Sequence, residues 1–226
     1  MSRILVVRHH VEDDAGLVGE AFGARGFELT TEMLDASHPT PTLDGYDALI
    51  ILGSNSSAYD ADVLTGWFQR ELTLMGEAVM RGVPIFGICF GAQALCVLNG
   101  GEVVPASEGE LGWMHVNVVD GCPLPAGPWF QYHGDKCVVS DDTTVLATSP
   151  RAVQAFTFGK NLGVQFHPEI DDTQLARWFD SPSASDRPSP EQVRDLLDET
   201  RANTPTVRVH VAQLVEYFMD LSGLAP

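Results

Sequence analysis

The sequence predicts an α/β fold, an open and mostly parallel sheet flanked by helices and extended by antiparallel strands. Three observations predict it. Short apolar runs at 3–8, 46–53 and 84–88 are separated by helix-compatible segments, the rhythm of a sheet with helices on its faces. The run from Pro84 to Ile88 passes straight into a helix-compatible run through Cys89-Phe90-Gly91, a strand turning sharply into a helix. After Gly100-Gly101 the pattern becomes a series of short strands with turn residues between them and no helix signal.

Taken in order, Arg3–Arg8 reads as a buried strand, Ala15–Arg25 as a helix stopped by Gly26, Phe27–Leu34 as a second strand and Tyr46–Gly53 as a third. His9 and His10 follow the first strand beside Glu12, Asp13 and Asp14, and read as a solvated loop near the rim of a site. Gly66–Arg81 carries Trp67, Leu74 and Ala78 at helical spacing, which puts Trp67 in the core. Strands are then expected at 102–105, 113–119, 129–133, 138–140, 144–148, 153–158 and 162–166, as an antiparallel meander. Asp171–Asp180 reads as a short helix. The Ser- and Pro-rich 181–190 reads as an exposed linker within a helical extension covering 170–226. Ser189-Pro190-Glu191 is a helix start, and two apolar stripes follow, Val193/Leu196/Leu197 and Val207/Val211/Leu214/Val215/Phe218, read as sheet-covering helices.

The whole chain, 226 residues, is expected to form one domain of the larger kind. With 31 acidic against 13 basic side chains it repels phosphate backbones, so no nucleic-acid partner is expected. No apolar run approaches the roughly 18 residues of a membrane helix, and the N-terminus lacks a signal-peptide pattern. Cys89, Cys96, Cys122 and Cys137 form no CxxC pair, which predicts a reduced, cytoplasmic setting. No metal is expected at His9 and His10, where no second ligand cluster stands, and no cofactor is expected.

The chemistry centres on Gly87-Ile88-Cys89-Phe90-Gly91. A nucleophile elbow pushes its central residue into an exposed, strained turn, and glycines two residues to either side avoid collision with the strand and helix. The same turn sets Cys89 at a helix N-terminus, whose partial positive charge favours an anionic nucleophile. Taken alone, the pattern also suits a buried cysteine at a strand end. The second motif, Gln165-Phe166-His167-Pro168-Glu169, again ends an apolar run. A thiol nucleophile needs a base and a group that orients it, and His167 and Glu169 supply that pair.

GICFGAQAL followed by GVQFHPE resembles the class I (triad) glutamine amidotransferases, and His133-Gly134-Asp135-Lys136 is similar to the glutaminase domain of the GMP synthase type. The resemblance runs from about Tyr46 to Glu169. It implies a flavodoxin-like sheet, Cys89 as nucleophile, His167 as base and Glu169 as its orienter. It also implies oxyanion donors at the Phe90 and Ser54 backbone amides, Ser54 standing where the family carries the second glycine of a Gly-Gly-Pro-type turn. Gly53, Gln93, Tyr132, His133, Gly134 and Asp135 match positions that hold the substrate. The implied reaction is hydrolysis of the γ-amide of glutamine through a cysteine thioester, releasing glutamate and ammonia for transfer to an acceptor on a separate synthetase protein. The alternatives are a free-standing hydrolase of γ-glutamyl amides or peptides, a DJ-1-like redox or chaperone protein that shares the elbow cysteine, and a catalytically silent regulator.

Overall fold

Buried β-branched and leucine-rich runs form the centre of the sheet, because a strand covered on both faces has no polar side to show. The computed structural model describes residues 2–60, 64, 66–181 and 188–226. Ten strands are described: β1 (Arg3–Arg8), β2 (Glu28–Met33), β3 (Ala48–Ile51), β4 (Ile85–Ile88), β5 (Glu102–Met114), β6 (Asn117–Val118), β7 (Trp129–Val138), β8 (Thr144–Thr148), β9 (Val153–Phe158) and β10 (Asn161–Val164). Eight of them join in the order β2-β1-β3-β4-β10-β9-β8-β6. Strands β2, β1, β3, β4 and β10 run parallel, whereas β9, β8 and β6 continue the sheet antiparallel.

The helices are α1 (Gly16–Gly23), α2 (Trp67–Arg81), α3 (Phe90–Leu98), α4 (Asp172–Asp180) and α5 (Pro190–Ser222). Side-chain alternation along β1 sends Ile4 and Val6 to one face, where Leu17, Phe22, Val211 and Phe218 of α1 and α5 cover them. Leu5 and Val7 point to the other face, under Phe68 and Leu74 of α2 and Leu95 of α3. Moving outward from β1, the chain steps one way to β2 and the other way to β3 and β4, so the order reverses beside β1. Open α/β sheets bind ligands in the crevice at such a point, beyond the carboxyl ends of the strands.

Three expectations are corrected. The second half is not one meander, because β5 and β7 leave the main sheet and pair with each other as a separate two-stranded ribbon. A register shift between Pro105 and Glu110 lets β5 bend past β7 as one long strand. The strand expected at 138–140 is absent, and Val138 instead ends β7. The two C-terminal stripes lie on a single helix that runs through Pro205. Its first part packs Val193, Leu196 and Leu197 against Phe130, Leu175 and Phe179, and its second part buries Val207 to Phe218 in the main core. Ser189 opens it with a capping box to Gln192, and Asp171 caps α4 through Gln174. Residues 182–187 of the expected linker lie outside the described residues.

Phe218 is fully buried, its ring 5.3 Å from that of Phe86 on β4 and 6.2 Å from that of Phe22 on α1. Phe218→Ala is expected to lower unfolding stability by about 3–5 kcal/mol in urea titration, the usual loss for a fully buried ring. A loss below about 1 kcal/mol would mean that α5 is not part of the cooperative core.

Candidate active site

The elbow forms as its glycines require. Cys89 has φ +52 and ψ −105, a region that non-glycine residues rarely occupy and that persists only where the surroundings enforce it. A β-carbon on Gly87 would lie 2.4 Å from the Gly91 carbonyl oxygen, and one on Gly91 would lie 2.2 Å from the Ile51 carbonyl oxygen of β3. Helix α3 therefore sits against bare backbone on both sides of the turn. The Cys89 N–H donates to Val164 O of β10 at 2.8 Å, which ties the turn to the strand leading to His167.

His167 and Glu169 lie just past β10, and the His167 N–H donates to Phe130 O at 2.8 Å. The ring Nδ1 stands 2.8 Å from Glu169 Oε1, and both side chains are buried. Burial alone would lower the His167 pKa, but the charges and hydrogen bonds of Glu169 and Cys89 outweigh it and raise the pKa well above the ordinary histidine value. Trp178 of α4 meets the His167 ring edge-on at 5.0 Å. Cys89, His167 and Glu169 are thus brought together from two distant motifs.

Gly53, the first residue of the loop after β3 that bears on the site, packs directly on this group. A β-carbon there would meet His167 Cε1 at 3.2 Å and Cys89 Cβ at 3.7 Å. Among the described residues Cys89 is the one non-glycine with positive φ, so Ser54 holds its place without left-handed strain and a glycine is not needed there. Phe90 opens α3, and N–H groups of a first helical turn have no partner within the helix.

Gly53, Ser54, Cys89, Gln93, Tyr132, His133, Gly134, Asp135 and His167 all line one cavity of about 530 Å³. Three of the expected substrate contacts are already engaged. Asp135 accepts from Ser57 Oγ and Tyr59 Oη, both at 2.7 Å. His133 has Nδ1 at 2.9 Å from Asp135 O and Nε2 at 3.1 Å from Glu110 Oε2, so its ring braces β7 against β5. Gln93 Nε2 approaches Gln165 Oε1 at 3.4 Å, while Gln165 Nε2 approaches Cys89 Sγ at 3.5 Å. Burial, with the nearby His167 charge acting in the same direction, outweighs Glu110 and lowers the His133 pKa. Two imidazoles in one cavity are therefore driven apart, His133 toward the neutral form and His167 toward the charged one.

His9 corrects the reading of a solvated pair. It is 5% exposed, with Nδ1 2.8 Å from Gly53 O and Nε2 2.6 Å from Glu71 Oε2. His10 remains at the rim and lines the cavity. Trp67, expected in the core, is half-buried and lies against the His9 ring at 4.7 Å. Glu71, Glu110 and Trp178 were not singled out from the sequence, and Gln165 stood only as the first residue of the second motif. For Glu71 a signal existed, since it shares a helical face with Phe68, Met75 and Ala78. Among the described residues, no group of three or more His, Cys, Asp or Glu side chains is arranged to hold a metal ion, and no helix is long and apolar enough to cross a membrane.

Residues 17–179 match the family described as Glutamine amidotransferase class-I. A curated relative, the glutamine-hydrolysing GMP synthase of Brucella melitensis, is 36% identical over 104 residues, covering 41% of this chain and 20% of that protein. The chain thus spans about a fifth of the length of that relative. A glutamine amidotransferase structure from Thermotoga maritima superposes with a TM-score of 0.82 at 24% identity, covering 97% of this chain and 98% of that one. Another from Methylobacillus flagellatus gives 0.81 at 19% identity, covering 97% and 95%. At these identities the structural likeness speaks for the fold.

Asp13 sits at the cavity wall and accepts from Trp178 Nε1 at 2.8 Å. Burial pushes its carboxyl up to about 6, with Glu169 adding and His9, Trp178 and His167 opposing. An acid that holds its proton more tightly when folded costs nothing below its unfolded value of 3.8 and penalises the fold as pH rises through about 6. Asp13→Asn keeps an acceptor for Trp178 and removes that penalty. Its gain in stability should be small at about pH 4 and grow to at most about 3 kcal/mol at about pH 8, read from denaturant titrations at both values. An equal effect at the two pH values would overturn this assignment.

Proposed function

The chain belongs to the class-I glutamine amidotransferase family, and from that premise we propose that it hydrolyses the γ-amide of glutamine, or of a γ-glutamyl relative, through a thioester on Cys89. The observation that carries this reading is the meeting of a left-handed elbow cysteine with a buried histidine whose far nitrogen is held by Glu169. Cys89 Sγ attacks the γ-carbonyl carbon as a thiolate whose proton rests on His167 Nε2, in keeping with the raised pKa of that ring, while Nδ1 is engaged by Glu169. Charge then develops on the carbonyl oxygen, within reach of the Phe90 and Ser54 amides. Collapse of the tetrahedral intermediate breaks the carbon–nitrogen bond, and the imidazolium returns the proton to the leaving ammonia or amine. Water, deprotonated by the same histidine, attacks the thioester and frees glutamate and the thiol.

Two fates of the nitrogen fit this chemistry. In the first, ammonia passes to an acceptor bound on a synthetase, a fate supported by the relatives named as glutamine-hydrolysing GMP synthases. The second is direct hydrolysis of γ-glutamyl amides. The cavity, about 530 Å³, favours it, being in the range that accepts drug-sized ligands and so having room for a substituent on the amide nitrogen. The DJ-1-like alternative has no use for a base oriented by Glu169.

Steady-state glutamate release from glutamine and a panel of γ-glutamyl amides tests the reading. Cys89→Ala is expected to abolish release, His167→Ala to lower kcat by about 10²–10⁴-fold, and Glu169→Ala to leave a measurable residue, because it disorders the imidazole without removing it. His133→Ala should act mainly on KM. A dead His133→Ala beside a near-normal His167→Ala would overturn the assignment.

A further inference from the structure

We propose that His9 and Glu71 are a positioning pair that fixes the Gly53–Ser54 peptide so that the Ser54 amide faces the oxyanion formed at Cys89. The inference rests on the thioester reading above. His9 follows β1, Glu71 lies within α2 and Gly53 follows β3, so three elements converge on one imidazole. Its Nδ1 lies 2.8 Å from the Gly53 carbonyl oxygen, and its Nε2 lies 2.6 Å from Glu71 Oε2. A carbonyl oxygen only accepts, so Nδ1 carries a hydrogen whichever partner holds the proton shared with Glu71.

In a trans peptide the C=O and N–H of one unit point in opposite directions. Anchoring Gly53 O toward His9 therefore turns the Ser54 N–H the other way. That loop packs on the nucleophile and the base, as the 3.2 Å and 3.7 Å approaches of a Gly53 β-carbon to His167 and Cys89 show, and Ser54 lines the cavity. Among the described residues no acceptor takes the Ser54 N–H. The ring of His9 is itself held by Phe90, edge-on at 5.3 Å, and by the tilted ring of Trp67 at 4.7 Å. One imidazole thus sets the first donor while packing on the side chain of the residue that supplies the second.

A fold-stabilising role accounts poorly for the pair. Glu71 is fully buried and its Oε1 has no partner among the described residues, an arrangement in which desolvation cancels much of the attraction and which apolar side chains of similar size often replace without loss. Burial acts first to lower the His9 pKa, yet the charge and hydrogen bond of Glu71, with the Gly53 carbonyl, raise it overall, which agrees with a ring that donates on both sides.

The test compares His9→Phe, which keeps the ring and removes both donors, with His9→Asn, whose Nδ2 can stand near the position of Nδ1. His9→Phe should lower kcat for glutamate release by about 10²-fold with KM changed by less than about threefold. Alkylation of Cys89 by iodoacetamide, which forms no oxyanion, should keep its wild-type rate. His9→Asn should recover most of kcat. A wild-type kcat in His9→Phe, or loss of alkylation in step with kcat, would overturn the proposal. If His9→Phe does not fold, Glu71→Gln decides: a severalfold fall in kcat at constant KM supports the pair, and an unchanged kcat overturns it. Wild-type protein that alkylates at Cys89 but releases no glutamate from any substrate would sink the thioester reading alone. The orientation of the Gly53–Ser54 peptide in crystals of the variants and wild type would then decide, with a turned carbonyl in support and an unmoved one against.

Discussion

Backbone contact at the elbow is the constraint on which the site depends. Cys89 is held at positive φ because α3 begins within van der Waals range of β3 and β4, and that approach is possible only where Gly87 and Gly91 present no side chain. The sheet does the holding. Parallel pairing fixes β3, β4 and β10 side by side, and the Cys89 amide is bonded to the last residue of β10. Relaxing the turn would therefore require α3 to rise from the sheet, exposing Phe90, Ala92, Ala94 and Leu95, which are buried beneath α2. The strain at one residue is offset by burial of an entire helix face.

Around that turn, charge is managed by three buried histidine–glutamate contacts: His167 with Glu169, His9 with Glu71, and His133 with Glu110. They are alike in pairing a buried ring with a buried carboxylate and unlike in outcome. His167 and His9 have raised pKa values because a carboxylate outweighs desolvation, whereas His133 is lowered because burial and the nearby His167 charge prevail over Glu110. Glu110 also accepts from Ser149 and Gln154, so its charge is shared among several donors. Chemistry that shuttles a proton needs one such ring poised to give and take it, and the others are better suited to holding backbone in place.

The parts of this arrangement that were legible in the sequence are those written as contiguous patterns. The elbow glycines, the His-Pro-Glu run and the strand rhythm each sit within a few residues of one another, and each dictates its local geometry. Ser54 was legible as a departure but not in its consequence, since only the backbone dihedrals show that no glycine is needed there. His9 and Glu71 were illegible for a different reason. Adjacent histidines in an acidic loop carry no signal of burial, and their partner lies 62 residues away on a helix. Glu71 did fall on the apolar face with Phe68, Met75 and Ala78, and a carboxylate on such a face demands a partner that one sequence cannot name. The ribbon of β5 and β7 was missed because short strands of one periodicity do not declare which neighbour they pair with. Pro205 likewise marks a helix break by rule, yet packing on both sides of it carries α5 straight through.

The ribbon also explains how a wall built from separate segments stays in register with the chemistry. Strand β7 carries residues 131–135, and its Phe130 carbonyl accepts from the His167 amide, so the wall and the candidate base share one hydrogen-bonded junction. At the opposite end the Asp135 carboxylate is occupied by Ser57 and Tyr59, which belong to the same loop as Gly53 and Ser54. Asp135 thus joins the loop after β3 to strand β7 and closes a ring of contacts around the cavity. A carboxylate spent in this way has less capacity to greet an incoming amino group than its position alone implies.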